Sequence, residues 1–218
     1  MAPRAAGGHA GLVAAARQAG VTDVRVLAAI GAVPRAAFVP AAQAESAGAD
    51  APLPIPHGQV TTQPSLSAVM IAGIALGDGD QVLEIGTGYG YQTALLARLA
   101  ARVVSVEFWA DAAEHARRSL SGQGIGNVLV VTGDGTEGYP ARAPYDAVLV
   151  SAAFPEVPPP LAAQLRPGGR LVQPVGPGGR EEVVLYERQP DGLRRVRTLT
   201  TASFVRLRGR HGFQEGQA

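Results

Sequence analysis

The sequence has no cysteine and no lysine, so all 19 of its residues counted as lysine or arginine are arginines. Without cysteine the chain cannot form disulfides, zinc–thiolate sites or thiol nucleophiles. Without lysine it lacks the residue on which Schiff-base enzymes and phosphate-binding P-loops depend. No two of its histidines have the spacing of metal ligands, so we expect no metal site.

Strong charge and long hydrophobic runs are also missing. The formal net charge of +1 gives no overall field that would attract nucleic acid or an anionic membrane. The most apolar run, "VMIAGIAL", is too short to span a bilayer, and the N-terminal "GLVAAA" is too short for a signal sequence. A hydrophobic content of 46% with 17% charged residues is typical of a globular protein. We therefore expect a soluble, cytoplasmic monomer.

The chain divides into a helical N-terminal segment (1–63), a core (64–213) and a short disordered tail (214–218). The pattern "VTDVRVLAAIGAVP" predicts a helix with Val24, Val26, Leu27 and Ile30 near one face. Residues 41–63 carry prolines and glycines without a clear period, which predicts a loop that covers the core. Another helix is predicted from Pro64, a residue favoured in the first turn.

From Gln81 onward, short runs rich in valine and leucine alternate with helical patterns. Strands that are apolar on both faces and alternate with helices predict a parallel sheet covered on both sides. The Asp191-Gly192 pair predicts a tight turn between the last two strands. The predicted fold is therefore α/β: a doubly wound, Rossmann-like, mostly parallel sheet of seven strands with a C-terminal antiparallel hairpin.

The first strand, "QVLEI", is followed at once by glycines at positions 86, 88 and 90. Glycine allows a sharp turn and lets a ligand lie directly against the backbone, at the strand ends where such sheets bind ligands. A helix that begins near Gly90 would present free N–H groups to the same place. The dinucleotide fingerprint would need its third glycine where Tyr91 stands, so a ligand without a pyrophosphate is favoured.

Three acids complete this pattern. Glu84 precedes the glycines, Glu107 ends the next strand and suits two ribose hydroxyls, and Asp134 follows the third strand and suits an adenine edge. A nucleoside with a cationic tail fits such a cleft, and S-adenosylmethionine is that ligand. The alternative interpretation is a tight turn with acids as helix caps, and Glu84 by itself can be purely structural.

Four segments resemble the protein-L-isoaspartate O-methyltransferase family: "PLPIPHGQVTTQP", "VLEIGTGYGYQTALLA", "VVTGDGTEGYPARAPYDAVLVSAA" and "LAAQLRPGGRLVQPVGPGG". They occur in the family's order, and the resemblance covers residues 10–213. It implies methyl transfer from S-adenosylmethionine to the free carboxylate of isoaspartyl residues in damaged protein or peptide. The ester would then collapse to a succinimide that hydrolyses partly to aspartate.

The resemblance and the glycine-and-acid pattern together give a set of candidate site residues. Thr62 is the expected active-site hydroxyl, at a position where the family usually has serine. The expected substrate contacts are His57, Thr62, Ser203 and Val205. The expected cofactor contacts are Gln59, Val60, Thr61, Thr62, Glu84, Gly86, Thr87, Gly88, Glu107, Phe108, Asp134 and Gly135.

The chemistry agrees with the absence of a catalytic base. A carboxylate with an ordinary pKa of about 4 is already ionised at neutral pH. Strong pairing with arginine would stabilise this nucleophile more than the transition state, in which its charge is neutralised. A hydroxyl such as that of Thr62 can orient the carboxylate without this penalty.

Several residues depart from the family pattern: Gly48 replaces an aromatic residue, Tyr89 a serine, Ser203 an arginine and Arg206 a proline. The changes at the arm and the C-terminus leave open an alternative substrate, a normal aspartyl residue in a ribosomal peptide precursor, which would be esterified to give an aspartimide. From a different class, the seven arginines between Arg188 and Arg210 would suit a non-catalytic module that binds nucleic acid or peptide. Alternating arginines on an edge strand also occur as a solvated face.

Overall fold

The structure is a computed structural model that describes residues 5–177 and 179–213. It opens with two helices, α1 (Ala5–Gln18) and α2 (Val24–Ala32). The Asp23 carboxylate accepts hydrogen bonds from the first backbone N–H groups of α2 and so caps the helix. Val26, Leu27 and Ile30 are buried as predicted, but Val24 is 75% exposed, because it lies in the first turn beside the cap and away from the core.

Residues 41–63, which we call the arm, were predicted to be a loop, and this is wrong in detail. Ala41–Gly48 form a 3-10 helix, and strands β1 (Pro54–Ile55) and β2 (Gln59–Val60) pair as a small antiparallel hairpin. Leu53 and Ile55 are buried, which is why this short hairpin stays against the core.

The remaining elements alternate strands with helices. A 3-10 turn also lies at Arg35–Phe38, and two more lie at Gly135–Glu137 and Pro140–Arg142. The remaining helices are α3 (Pro64–Ile74), α4 (Tyr91–Ala97), α5 (Ala110–Gly122) and α6 (Pro159–Ala163). The strands are β3 (Gln81–Ile85), β4 (Arg102–Glu107), β5 (Val128–Thr132), β6 (Tyr145–Val150), β7 (Leu165–Val175), β8 (Glu181–Gln189) and β9 (Gly192–Ala202).

The seven long strands form one sheet in the order β5-β4-β3-β6-β7-β8-β9. Strands β3 to β7 are parallel, β8 runs antiparallel to β7, and β8 and β9 form the predicted hairpin. The stretch "LRRVRTLTTASFVRL" (193–207) predicts one continuous last strand, but the strand ends at Ala202, because the chain then turns to pair with Ala153. The chain order reverses between β3 and β6, which is where sheets of this kind place their ligand cleft.

Apolar side chains are buried on both faces of the sheet, in two clusters that include Leu95 and Leu149 on one side and Leu83 and Leu161 on the other. No described helix is both long enough and apolar enough to cross a membrane. The tail predicted to be disordered (214–218) lies outside the described residues, and the division of the chain at residue 63 stays a prediction.

Candidate active site

A cleft opens at the carboxyl ends of β3 and β6, at the point where the strand order reverses. The space between its walls, counted out into the solvent at its open mouth, is about 1020 Å³. The glycine loop after β3 and Ser151 after β6 line it on the sheet side. The arm hairpin and residues 205–208 line it from above the strand ends.

The glycine loop has the backbone conformation that the sequence predicts. Gly86 has a φ of 93° and Gly88 a φ of 53°, values that side chains rarely permit. The backbone N–H of Gly88 donates to Glu107 Oε2 over 2.8 Å. The loop thus brings bare backbone to the cleft and ties it to the acid at the end of the neighbouring strand.

Glu107 lines the cleft as predicted, and its carboxylate is held in place by backbone groups. Oε2 accepts from Gly88, and Oε1 accepts from the N–H of Trp109 over 3.0 Å. Glu107 is only 6% exposed, and burial raises the pKa of this carboxyl against the opposing effect of the backbone N–H groups of Trp109, Gly88 and Phe108. Each oxygen keeps acceptor capacity, so Glu107 is oriented to receive hydroxyl groups of a ligand.

Glu84 does not line the cleft, so the prediction that it contacts the cofactor is not supported. Its side chain is completely buried under the glycine loop. Gln92 Nε2 donates to Oε1 over 3.1 Å, while the hydroxyls of Thr93 and Ser105 donate to Oε2 over 2.5 and 2.6 Å. Burial raises the pKa of Glu84 to about 7, in opposition to these donors. Two further contacts reach the cleft: Gln92 Nε2 donates to Ser151 Oγ, and Ser105 Oγ lies 2.5 Å from the hydroxyl of Thr87.

Asp134 also lies outside the lining, because the chain's C-terminal segment (203–213) is packed on its carboxylate. Oδ1 accepts from the backbone and hydroxyl of Thr136, and Oδ2 accepts from the backbone N–H of Arg210 over 2.7 Å. A Cβ at Gly209 would lie 2.0 Å from Asp134 Oδ1, so only glycine permits this approach. The following residue, Gly135, does line the cleft.

The arm is held by a buried arginine that the sequence analysis did not single out. Arg35 is 1% exposed, and its guanidinium donates to the carbonyls of Ala49 and Ala51 and to the hydroxyl of Thr61 over 2.7 to 3.0 Å. The Thr61 hydroxyl also accepts from the N–H of Leu53. Burial lowers the pKa of Arg35, and nearby Tyr91 and Asp50 oppose this effect, but an arginine stays charged in proteins.

Thr61 and Thr62 therefore have different environments although they are neighbours. The hydroxyl of Thr61 accepts hydrogen bonds from Arg35 and from Leu53, whereas the hydroxyl of Thr62 has no hydrogen-bond partner among residues 5–177 and 179–213. Thr62 is half-buried and lines the cleft. It is a neutral donor that is available to a ligand.

At the tip of the hairpin, His57 contacts the start of α5. Its Nε2 lies 2.9 Å from Asp111 Oδ1, and its ring stacks on that of Trp109 with centroids 4.0 Å apart and planes 4° from parallel. His57 has a φ of 62°, which is uncommon for a residue other than glycine. The hydrogen bond from His57 lowers the pKa of Asp111. This contact closes the hairpin over the cleft.

Most of the predicted site residues meet in the cleft, and three do not. Ser203 is exposed and donates its hydroxyl to Gly179 O, away from the lining. The predicted residues that line the cleft are His57, Gln59, Val60, Thr61, Thr62, Gly86, Thr87, Gly88, Glu107, Phe108, Gly135 and Val205. The three outside it are Glu84, Asp134 and Ser203.

Sequence reasoning missed the partners that hold the site together. Ser105 carried a usable signal, because it is the one uncharged polar residue in "RVVSVE", and in the sheet it is the register partner of Glu84. For Arg35 the sequence gives no comparable signal, only a single charge in the apolar stretch "VPRAAFVP". Within the described ranges, no group of three or more acids and histidines is placed to hold a metal ion.

Comparison with known proteins gives close matches over nearly the whole chain. A sequence model of the protein-L-isoaspartate(D-aspartate) O-methyltransferase family matches residues 8–212. A protein-L-isoaspartate O-methyltransferase of Methanoculleus marisnigri is 49% identical over 198 residues, which are 91% of this chain and 90% of the relative. One from Anaeromyxobacter dehalogenans is 50% identical over 190 residues, 86% of this chain and 91% of the relative.

Solved structures give the same result for the fold. A protein-L-isoaspartate O-methyltransferase superposes with a TM-score of 0.75 at 30% identity, covering 89% of this chain. The match spans 66% of the length of that protein. A putative protein-L-isoaspartate O-methyltransferase of Plasmodium falciparum, solved with S-adenosyl-L-homocysteine, has a TM-score of 0.77 at 20% identity, covering 92% of this chain and 98% of its own. The predicted fold class is confirmed.

Proposed function

Because the chain belongs to the protein-L-isoaspartate(D-aspartate) O-methyltransferase family, we propose that it methylates the free carboxylate of isoaspartyl residues in damaged proteins and peptides. The predicted family, enzyme class and cofactor, S-adenosylmethionine, are confirmed by the same matches. In the proposed pathway the backbone nitrogen that follows the esterified residue attacks the ester carbonyl, and methanol leaves. The resulting succinimide hydrolyses partly to normal aspartate, which completes the repair.

The cleft fits the cofactor on its own chemistry. Bare backbone at Gly86 and Gly88 leaves room for a ligand against the sheet, and the oriented carboxylate of Glu107 can accept two ribose hydroxyls. Gly135 and Phe108 line the same cleft. We assign cofactor contacts to these residues, whereas Glu84 acts through the loop. S-adenosylmethionine supplies a methyl group bound to a positively charged sulfur.

The observation that carries the proposal is the hydroxyl of Thr62, which lines the cleft and has no hydrogen-bond partner among the residues that the structure describes. We assign Thr62 to orient the substrate carboxylate, which needs no deprotonation at neutral pH. A neutral donor fixes the nucleophile without pairing its charge, so the ground state is not overstabilised. The arm hairpin lines the same part of the cleft, and exclusion of water there on substrate binding would strengthen the electrostatic interactions.

The test uses an isoaspartyl hexapeptide and its normal aspartyl counterpart, each incubated with the protein and labelled S-adenosylmethionine. We expect base-labile methyl ester on the isoaspartyl peptide only, followed by succinimide and then aspartyl peptide by chromatography. The relatives compared above give no support to the alternative in which a normal aspartyl residue is esterified. Equal or faster methylation of the aspartyl peptide would favour that alternative and contradict repair.

A further inference from the structure

The fold gives Glu84 hydrogen-bond donors but no positive charge. Its side chain is completely buried under the glycine loop. The groups that donate to its carboxylate, from Gln92, Thr93 and Ser105, are all neutral. Within the described ranges, no arginine or histidine forms an ion pair with it. A buried carboxylate is stable only when its charge is compensated, so we expect either a proton or a positively charged ligand to neutralise it.

Two chains of hydrogen bonds connect this carboxylate with the wall of the cleft. Gln92 Nε2 donates to Glu84 Oε1 over 3.1 Å and to Ser151 Oγ over 2.7 Å. Ser105 Oγ donates to Glu84 Oε2 and lies 2.5 Å from the hydroxyl of Thr87. Gln92, Ser151 and Thr87 all line the cleft. On both sides, a short chain of polar side chains therefore separates the carboxylate from the space that we assign to the cofactor.

The elements packed around Glu84 do not supply the missing charge. Burial raises the pKa of this carboxyl against the effect of its three donors, and Glu107, at the end of β4, raises it further. Glu107 is the one charged group among the described residues that acts on it. On α4, Tyr91 is neutral because burial raises its pKa to about 12. On β6, the register partner of Glu84 is the apolar Leu149. An acid and neutral groups therefore surround Glu84, which makes its charge state sensitive to a cation in the cleft.

We propose that Glu84 is the buried counter-charge of the cofactor's sulfonium, by which the enzyme prefers the charged methyl donor to its neutral product. S-adenosylmethionine has a positively charged sulfur, whereas the sulfur of S-adenosylhomocysteine is neutral. Binding of the donor therefore releases to water the proton that Glu84 holds. Glu84 has this role for any methyl acceptor, so it depends on the cofactor and not on the isoaspartyl substrate.

This pairing acts on the exchange of the cofactor and not on the methyl transfer itself. In the transfer the sulfur–methyl bond breaks, its electron pair stays on sulfur, and the methyl group bonds to the oxygen of the acceptor. The positive charge is then gone, and Glu84 takes up a proton from water again. An ionised Glu84 stabilises the bound donor more than the transition state, so it does not accelerate the reaction. Its effect is that the donor displaces the product more easily, because a charge in a buried medium is felt over a longer distance than in water.

The first measurement counts the protons that the wild-type protein exchanges when it binds each ligand. Isothermal titration calorimetry is carried out at about pH 6.5 in buffers with different ionisation enthalpies, where Glu84 is mostly protonated in the free protein. We expect S-adenosylmethionine to release roughly half a proton or more, and S-adenosylhomocysteine to release none. Equal proton release with the two ligands would overturn the proposed role of Glu84. This result does not depend on whether a variant folds.

The second measurement compares the Kd of S-adenosylmethionine with that of S-adenosylhomocysteine as pH changes. In the wild type this ratio should rise about tenfold from about pH 8 to about pH 6, because the donor must displace a proton at the lower pH. Glu84→Gln should remove this rise, and comparison of the variant with the wild type cancels the ionisation of the ligands' own amino groups. At about pH 8 the variant should bind the donor about tenfold more weakly and the product less than threefold more weakly. Glu114→Gln, which changes an exposed acid, is the matched control and should keep the wild-type pH dependence.

Two outcomes of the variant would contradict the proposed role. If the ratio rose in Glu84→Gln as it does in the wild type, another group would be the one that exchanges the proton. If Glu84→Gln weakened both ligands equally at every pH, Glu84 would serve only the shape of the glycine loop. Both outcomes concern the cofactor alone, so they leave the proposed methylation of isoaspartyl residues to be decided by the peptide test.

Discussion

Two parts of the cleft are each held by a buried charged side chain, and the two charges are accommodated in different ways. Glu84, under the glycine loop, is surrounded by three neutral donors, and burial raises its pKa to about 7, so it can take up a proton. Arg35, under the arm, cannot lose its charge, and its two terminal nitrogens donate to carbonyl oxygens and to Thr61 instead. The loop should therefore respond to pH in the neutral range, while the anchoring of the arm should not.

The largest effect is expected from breaking the arm's anchor with Arg35→Met. The carbonyls of Ala49 and Ala51 and the hydroxyl of Thr61 would lose their donor, and each buried unsatisfied group costs roughly 1–3 kcal/mol. We expect urea denaturation to show a loss of about 3 kcal/mol or more in the free energy of unfolding, equal at acidic and neutral pH. Arg117→Met is the control. The guanidinium of Arg117 also donates to a carbonyl, but this side chain is 40% exposed. The substitution should therefore lower the free energy of unfolding by less than about 1 kcal/mol. Similar losses in the two variants would show that Arg35 does not anchor the arm.

The second prediction concerns the pH dependence of stability that the buried carboxyl of Glu84 should cause. Below 4.5 the carboxyl is protonated in both states, but between 4.5 and about 7 the unfolded state releases the proton and the folded state keeps it. The free energy of unfolding should therefore fall as pH rises through this window, and Glu84 should account for a fall of about 3 kcal/mol. Above about pH 7 the contribution of this group should no longer change. Glu84→Gln should remove this part of the pH dependence, measured as the difference between wild-type and variant denaturation curves. Glu114→Gln is the control: it changes an exposed side chain and should leave the pH dependence of the free energy of unfolding unchanged. If the free energy of unfolding of Glu84→Gln depended on pH as steeply as that of the wild type, Glu84 would be ionised in the folded protein.

The same two regions show what sequence reasoning can and cannot find. The loop could be predicted because strand, glycines and Glu107 are close in sequence and follow simple rules of turn geometry. The anchor could not, because Arg35 meets its partners 14 to 26 residues further along the chain, across a segment without periodicity. The burial of Glu84 was also hidden, because a strand that is apolar on both faces does not indicate which way its one acid points. Only its pairing with Ser105 in the sheet would have revealed it.

A similar limit applies to the C-terminal segment. The pattern of β9 continues smoothly to Leu207, yet the strand ends at Ala202, because residues 205–207 bond to Ala153 instead of continuing the hairpin. Its later residues then cover Asp134, which sequence spacing had placed in the cleft. Such long-range contacts are decided by tertiary packing and leave no local signal.

The third prediction separates two neighbouring hydroxyls, one that belongs to the anchor and one that faces the ligand. Thr61→Val removes the partner of Arg35 and Leu53 and should cost about 1–2 kcal/mol of stability. Thr62→Val should leave stability within about 0.5 kcal/mol but lower kcat about tenfold, the value of one hydrogen bond to the reacting carboxylate. Thr62→Ser keeps the hydroxyl and should retain most activity. Full turnover in Thr62→Val would remove the role proposed for this residue.

The smallest effect is expected at the tip of the arm, where His57 and Asp111 meet. Asp111 is exposed, and solvent and salt screen such pairs, so Asp111→Asn should change the KM for peptide or cofactor by less than about threefold. The hydrogen bond from His57 lowers the pKa of Asp111, so the contribution is present at neutral pH and is lost only as pH falls through this depressed value. Steady-state kinetics of wild type and variant at low and high salt would measure it, with the difference disappearing at high salt. The stacking of His57 on Trp109 remains in the variant, which is a further reason for a small effect. If Asp111→Asn impaired the enzyme as severely as Arg35→Met, the arm would be held at its exposed tip and not at its buried root.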